Sequence, residues 1–583
     1  MNVAELLVTF AQEWGARRCF LVTGGMAMHI NKAIADNEQI DCTFVHHEQA
    51  AICAAEGWSK SSNFKSIGFA CITAGPGVTN SITGLVAAYG DSVPMLILAG
   101  QIKTEDLNVI GVRTHGIQEV DSRALVTPAV KKFIRIDYQN LSDQIVEIYE
   151  ALFTGRYGPV FVEIPLDIQN LAVPEAIFDQ CKSLFKIQTL PSTDLVRSDL
   201  SQFFNRTKTK QFRLGVVIGN GLRISGVDYS ELLLLLAKRN IPTFYTWLSF
   251  DLEDYETQNN MGCPGGFASK HSNAVLQECN AVIFLGARLD LATTAFQRET
   301  YGGKGIRVFI DIDQKELDKF SRNSDFKFCL NLKDCFKEII LFLGSVNIEN
   351  DWANTTNNRK RESIKEEDTN LFSTKLSVRN IALSVSSHLE SGVIVSASSG
   401  VAEEIFTRFL RPNGKFRFFN SAALGAMGQG LSHGIGAALH RPNNELPVLI
   451  FEGDGGAWMN VHELATVAQE DLKNFHLFIL DNGGYASIRN SQMNHFHYKF
   501  GCDAESGLIL PDYSILAEMF GFEYLEIKDV IEFKTHFFST LFLEQNRTII
   551  KLKIDPNEEV GPKLKTLMLN GKPATEEFGA LTW

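Results

Sequence analysis

Two short motifs at a fixed separation constrain this chain more than any other feature. The first reads Glu452-Gly453-Asp454-Gly455-Gly456-Ala457-Trp458-Met459-Asn460, and the second reads Leu480-Asp481-Asn482-Gly483-Gly484-Tyr485. The apolar run Pro447-Val448-Leu449-Ile450-Phe451 ahead of the first reads as a buried parallel strand. Gly-Asp-Gly turns sharply off its end. A helical stretch from Val461 to about Glu470 follows, and a second apolar strand, Phe475 to Leu480, delivers Asn482. One strand–helix–strand unit of this length sets Asp454 and Asn482 side by side at the carboxyl edge of a parallel sheet, where α/β folds bind ligands.

The chemistry of that pair is specific. The Asp454 carboxylate, the Asn482 amide oxygen and a nearby backbone carbonyl, that of Gly484, are hard oxygen donors. With water and two diphosphate oxygens they complete an octahedron around Mg²⁺. Gly453, Gly455 and Gly456 let the backbone approach a diphosphate, and amides at the helix start donate to it. Gly-Asp-Gly alone is no more than a strand-end turn; the Asn at the matching distance argues against that bland reading.

The 583 residues suggest three to four domains, with 45% apolar and 21% charged residues, ordinary for a globular protein. A net charge of −13 and a pI of about 5.6 argue against nonspecific binding to nucleic acid or anionic membranes. The longest aliphatic run, Leu232 to Leu236, is far too short to span a bilayer. No basic-then-apolar leader is read at the start. The ten cysteines are scattered without Cys-x-x-Cys, so they are expected to be reduced, packed thiols in a cytoplasmic protein.

Short apolar runs alternate with helical stretches three times over, predicting an α/β protein of three doubly wound parallel-sheet domains. The first spans 1–170, with strands at Cys19–Val22, Cys42–Val45, Ser66–Thr73, Met95–Ala99 and Val160–Ile164. The central domain spans 195–345, with strands at Leu214–Ile218, Ala281–Leu285 and Val308–Ile312, and the third spans 372–560. Residues 170–195 lack a clear period, and 346–370 are rich in Asn and charge; both read as linkers. The tail, 561–583, reads as short and irregular.

The Gly-Asp-Gly…Asn pattern resembles the fingerprint of thiamine diphosphate (ThDP) enzymes. Three α/β domains in this order are similar to the ThDP-dependent decarboxylase and acetolactate synthase superfamily, across nearly the whole chain. The resemblance implies a pyrimidine-binding first domain, a central nucleotide-binding-like domain and a diphosphate-binding third domain. Val45-His46-His47-Glu48-Gln49-Ala50-Ala51 closely resembles the family's activating-glutamate segment, which implies that Glu48 is the acid that activates the aminopyrimidine. Read alone, Glu48 would be an acidic residue complementing a helix dipole. Thr73-Ala74-Gly75-Pro76-Gly77-Val78-Thr79-Asn80 resembles a family turn near the active site, to which no chemistry is assigned. Leu424-Gly425-Ala426-Met427-Gly428-Gln429-Gly430 resembles the segment that bends the coenzyme. That match implies a Gly425 carbonyl accepting from the 4′-amino group and Met427 wedged between the rings. Ser398-Ser399-Gly400, beyond the strand Val393–Ser396, would add diphosphate contacts. The family joins the two halves of its site across subunits, which implies a homodimer or homotetramer.

The reaction is read from departures. Where nonligating decarboxylases carry a Glu beyond the Asn motif, this chain has Ser487 and Ile488, which favours carboligation over aldehyde release. Acetolactate synthases carry Phe-Gln-Glu in the first domain; here Gln118 matches but Ile117 replaces the Phe. They also carry a Trp where this chain has Ser491. Both changes remove aromatic bulk and predict a roomier acceptor site. Gly484-Tyr485-Ala486-Ser487-Ile488-Arg489, followed by Gln492, is similar to a subgroup that adds an acetyl unit from pyruvate to a keto sugar nucleotide. Gln118, with His115 or His47, is expected to manage protons, and amides around Gly24 and Gly25 are expected oxyanion donors. Gly286-Ala287-Arg288-Leu289-Asp290 resembles the FAD-binding segment of acetolactate synthases, making FAD a candidate cofactor through Arg288. The expectation is therefore a ThDP- and Mg²⁺-dependent carboligase acting on a small 2-keto acid. Acetolactate synthase proper and a nonligating decarboxylase are the alternatives.

Overall fold

The computed structural model describes residues 1–107, 111–185, 193–207, 209–369, 375–441, 446–539, 546–558, 561, 564, 566–569 and 572–578. Three sheets follow one another along the chain. The first holds Arg18–Leu21, Asp41–Phe44, Gly68–Ile72, Met95–Gln101, Lys132–Arg135 and Pro159–Pro165. Numbered along the chain within the sheet, its strands lie side by side in the order 2-1-3-4-6-5. The third sheet, Gly392–Ser396, Phe416–Phe419, Val448–Gly453, Phe475–Asp481, Glu523–Ile527 and Arg547–Lys553, repeats that order. The middle sheet, Leu214–Ile218, Thr243–Tyr245, Ala281–Leu285, Ile306–Asp311 and Asp325–Cys329, lies 2-1-3-4-5. Every pairing within the three is parallel.

This order positions the sites. In each sheet strands 1 and 3 are neighbours, and the chain winds away from them in opposite directions. The crevice at their carboxyl ends is the topological switch point where such sheets bind ligands. In the third sheet it lies between the loops after Ser396 and after Gly453, the expected phosphate loop and the Gly-Asp-Gly turn. The register Val448↔Phe475 through Gly453↔Leu480 then sets Asn482 beside Asp454 on the neighbouring strand.

Packing explains the near-continuous apolar strands, because both faces are covered. Leu449, Phe451, Phe478 and Leu480 enter a core shared with the central domain. The alternate residues Val448, Ile450, Leu477 and Ile479 enter a core shared with Ala51, Ala54 and Ala55 of the first domain. The helices Glu48–Ser61 and Gly430–Leu439 cross at backbone contact: a Cβ on Gly436 would lie 1.8 Å from the Ala54 carbonyl oxygen. Beneath this crossing the Lys60 ammonium is 2.6 Å from Glu56, 2.8 Å from Asp91 and 2.6 Å from the Asn420 carbonyl. Asp91 also meets Arg288 at 3.1 Å, so one buried cluster ties together all three domains.

Three stretches differ from expectation. Segment 346–370 carries the 18-residue helix Trp352–Thr369. Its buried stripe is Trp352, Thr356, Lys360, Ser363 and Glu367, helical in spacing but mostly polar, so no apolar period betrays it. The other linker stretch carries Ala176–Leu184 and the start of Thr193–Thr207, with residues 186–192 outside the described residues. The tail contains an antiparallel hairpin, Thr566–Leu569 with Lys572–Thr575, and Phe578 packs edge-on at 5.1 Å from the Tyr301 ring. No helix among the described residues is long and apolar enough to cross a membrane.

Candidate active site

At the third sheet's edge the Asp454 amide donates to the Leu480 carbonyl at 3.3 Å, closing the turn onto the next strand. Asp454 Oδ1 accepts from the Gly455 amide and Oδ2 from the Gly484 amide, both at 2.8 Å. The Tyr513 hydroxyl donates to the Asp454 carbonyl. Burial pushes the Asp454 carboxyl up to about 7, and the neighbouring Asp481 charge adds to the rise. Asp481 is itself held low despite burial, because Lys553 and Lys551 lie at 2.5 and 3.4 Å. Gly484 has φ +126°, and a Cβ there would lie 2.3 Å from the Cys502 carbonyl oxygen, so only glycine fits.

Asn482 Oδ1 is buried and has no hydrogen-bond partner. Such an atom is costly unless something outside the protein satisfies it. Beside a carboxylate that burial forces toward its proton, it defines a pair of oxygens suited to a hard cation. No group of three His, Cys, Asp or Glu among the described residues forms a metal cage, so a cation here would draw remaining ligands from amide, carbonyl, water or phosphate oxygens. These donors fit Mg²⁺. Arg489 Nη2 braces the Asn482 carbonyl at 3.1 Å, and the Gln492 amide clamps Phe500 through both of its atoms, at 2.8 and 3.0 Å.

The other loops converge on the same crevice. The Ser421 amide donates to Ser398 Oγ at 3.0 Å, and the Gly425 amide donates to the Ser421 carbonyl at 3.0 Å. This brings Ser398, Ser399 and Gly400 beside Gly425, with half-buried Met427 two residues on. The Asn460 side-chain amide donates to the Gly428 carbonyl at 2.8 Å, pinning the segment Leu424 to Gly430 to the loop carrying Gly453, Gly455 and Gly456. Buried Glu452 accepts from the Gly430 amide at 2.7 Å.

A second group forms at the first sheet's switch point. Glu48, mostly buried, opens its helix and accepts from the Asn80 amide at 2.9 Å. Gly24 sits against Thr73, and Gly75 against the Gln118 backbone, since added Cβ atoms would lie 2.4 and 2.6 Å away. Gln118 has φ +62° and is exposed; Gly25 follows Gly24 into a 3₁₀ turn. His115 is exposed, its Nδ1 3.0 Å from the Asp106 carbonyl. His47 Nδ1 caps its helix by accepting from the Gln49 amide at 3.2 Å. Among the described residues no hydrogen bond or ion pair joins Glu48 to the Asp454 or Ser398 loops. Near Glu48 the two domains also meet at His46, whose amide donates to Glu463 at 3.0 Å. Asn80 and Tyr513 are contacts that the sequence reading does not assign: Asn80 lies in a motif left without chemistry, and Tyr513 reaches Asp454 only through the fold.

A cavity of about 480 Å³ opens at the middle sheet's switch point, between all three domains. Arg288, expected at a flavin diphosphate, donates there to the Gly90 carbonyl and to Asp91, with Asp290 at 3.6 Å. The other lining cation, Arg156, is 2.9 Å from both Asp313 and Glu316. The residues present do not fit the diphosphate of FAD.

Comparison with known proteins agrees with this geometry. The model described as "Thiamine pyrophosphate enzyme, N-terminal TPP binding domain" matches residues 1–125, the "central domain" model 209–339 and the "C-terminal TPP binding domain" model 398–548. The chain is 28% identical to a "Probable acetolactate synthase large subunit" of Methanococcus aeolicus, over 91% of this chain and 88% of that protein. It is 25% identical to an "Acetolactate synthase large subunit" of Lactococcus lactis, over 96% and 94% respectively. It is 27% identical to "Acetolactate synthase 1, chloroplastic" of Zea mays, over 89% and 80%. With all three domain models matched in chain order, the protein belongs to the thiamine pyrophosphate enzymes.

Proposed function

We propose that the protein decarboxylates a small 2-keto acid, first of all pyruvate, and joins the acyl unit to a carbonyl acceptor, with ThDP and Mg²⁺ as its cofactors. Carbon dioxide leaves, one carbon–carbon bond forms, and the acceptor oxygen takes up a proton. The observation that carries this reading is the orphaned Asn482 oxygen beside the buried Asp454 carboxylate at a switch point. Asp454, Asn482 and the Gly484 carbonyl would hold Mg²⁺. Ser398, Ser399, Gly400, Gly453, Gly455 and Gly456 would receive the diphosphate, and Gly425 and Met427 the bent pyrimidine. When bound, ThDP supplies the nucleophilic carbon and the electron sink for decarboxylation.

Glu48 would hold the activating proton, with Asn80 keeping its carboxyl aimed. Gln118 and His115, with amides near Gly24 and Gly25, would serve the reacting oxygens. With no hydrogen bond or ion pair among the described residues joining the Glu48 group to the Asp454 group, the reading takes a homodimer as its smallest working unit and a tetramer as its doubling. The unpaired cysteines support a reducing compartment, the cytoplasm. FAD is left out.

The acceptor proposed is a keto sugar nucleotide. Two exposed residues support it: Ile117, 88% exposed, and Ser491, both less bulky than the aromatic residues of acetolactate synthases. The test is NMR product analysis with ThDP, Mg²⁺, ¹³C-labelled pyruvate and a panel of keto acids, aldehydes and 4-keto sugar nucleotides. A labelled branched sugar is the expected product. Acetolactate would move the reading to acetolactate synthase proper, acetaldehyde alone would refute carboligation, and unconsumed pyruvate would refute the donor.

A further inference from the structure

A second cavity, of about 30 Å³, lies between the central and third domains, and no residue given above to the coenzyme lines it. Its walls come from the chain that follows the strand Thr243–Tyr245 and from the end of the helix Val401–Phe409. Trp247, Phe250, Tyr255 and Phe267 make it largely aromatic, and no carboxylate lines it. Two buried donors on these walls have no partner, Arg408 Nε and Trp247 Nε1. The Arg408 side chain is 8% exposed, and among the described residues its guanidinium bonds to Glu367 alone, at 2.6 Å. A guanidinium carries five N–H donors, so this buried cation is short of acceptors.

The charge around the cavity has the same sign. Lys360, 6% exposed, donates to the Tyr255 and Thr257 carbonyls at 2.6 and 3.0 Å and pairs with no carboxylate among the described residues. Its ammonium stands 4.7 Å over the Tyr255 ring, and the Arg411 guanidinium lies 5.5 Å from the same ring. Burial holds the His271 imidazole well below its ordinary pKa, and the charges of Lys360, Arg408 and Arg411 act in the same direction. Of the buried carboxylates in this region, Glu367 is taken by Arg408, and Asp251 by Arg223 and Arg417 at 2.5 and 2.8 Å. A water in the cavity could accept from the two orphaned N–H groups, but its own hydrogens would face aromatic rings and a cation. A monatomic anion accepts from both, donates nothing and offsets the surplus positive charge. The positive edges of the aromatic rings suit it as well. The volume admits a guest about the size of one water and excludes phosphate and organic acids.

We propose that this small cavity binds a single halide ion, chloride, between Arg408 and Trp247, and that the ion ties the central domain to the third. The site lies within one chain and does not depend on the reaction proposed above.

The probe is chloride itself, followed by ³⁵Cl NMR line broadening in the full-length protein without ThDP, with sodium gluconate holding the ionic strength at about 0.15 M. The broadening should saturate as for one site, and bromide should remove it where gluconate does not. The melting point should rise with chloride at that constant ionic strength, because an ion bound only by the folded chain stabilises it by mass action. Trp247→Phe removes one donor and no charge, and should weaken chloride by about threefold or more. Arg408→Gln should weaken it by about tenfold or more and remove the chloride dependence of melting. Arg408→Lys, which keeps a cation for Glu367 and loses the Nε donor, serves the same purpose if Arg408→Gln does not fold. Absence of saturable broadening would mean a water-filled cavity and overturn the proposal. Displacement by gluconate, a melting point indifferent to chloride, or unchanged chloride affinity in either folded variant would overturn it equally.

Discussion

Replacing Lys60 by Met tests whether the cluster under the helix crossing holds the active-site loops in place. Lys60 is 1% exposed and Glu56 is fully buried. Burial opposes ionisation of Glu56, yet Lys60 and His433 hold its carboxyl down to about 2, against an ordinary 4.5. A difference of 2.5 units corresponds to about 3 kcal/mol of stability, present above pH 4.5 and lost as the pH falls toward 2. Lys60→Met removes most of it and leaves Glu56 and Asp91 without their buried cation, in line with the roughly 3–5 kcal/mol typical of breaking a buried pair. For a domain of this size that predicts a melting point lower by about 6–12 °C. Glu56 in the variant should take up a proton more readily, so the gap from wild type should narrow as the pH drops from 8 to 5. Adding Glu56→Gln to Lys60→Met should recover part of the loss, because Asp91, which keeps its pair with Arg288, is then the one buried carboxylate left opposite the methionine. Lys60 also holds the Asn420 carbonyl and Ser421 Oγ, and Ser421 binds both Ser398 and Gly425. The same variant should therefore weaken ThDP binding. Scanning calorimetry at pH 5 and 8, with coenzyme titration by fluorescence quenching, measures both effects. A Lys60→Met protein within about 1 kcal/mol of wild type at pH 8, or no rescue by Glu56→Gln, would refute the reasoning.

Other substitutions separate the proposed roles. Asn482→Ala removes a buried oxygen that has no protein partner, so it should cost under about 1 kcal/mol of stability, measured by melting, yet weaken Mg²⁺-dependent ThDP binding at least about a hundredfold. Asp454→Ala should lose that binding altogether in the same titration. Glu48→Gln retains an oxygen to accept from Asn80, so ThDP should still bind while turnover falls by about 10²–10⁴. Asn80→Ala should lower kcat less, by about tenfold, with ThDP affinity unchanged in steady-state kinetics.

Legibility in the sequence followed range. Val448–Gly453 and Phe475–Asp481 are short apolar runs punctuated by glycine, and they are buried parallel strands as the runs predict. The third sheet's switch point was readable too, because Asp454 and Asn482 lie within one strand–helix–strand unit. The helix Trp352–Thr369 was not, because a buried stripe of Thr, Lys, Ser and Glu is indistinguishable by composition from a solvated linker. Arg288 shows a dependence of another kind. The Gly-Ala-Arg segment matches a flavin-binding pattern locally, but whether its guanidinium is available depends on Asp91, in another domain and nearly two hundred residues away.

That last case bears on the active site as well. The first and third sheets share the strand order 2-1-3-4-6-5, so each presents a crevice at the same place in its topology. One crevice gathers Glu48, Asn80, Gly24 and Gln118; the other gathers Asp454, Asn482, Ser398 and Gly425. Within the chain the two sheets pack through the Glu48 and Gly430 helices. A second copy, meeting the first by a two-fold axis, can pair unlike crevices twice without disturbing either core. Dilution below the dimer dissociation constant should then abolish turnover while each separated chain keeps its melting behaviour, as gel filtration, scanning calorimetry and activity at matched concentrations would measure. Full activity per chain in the monomer fraction would refute the two-crevice argument.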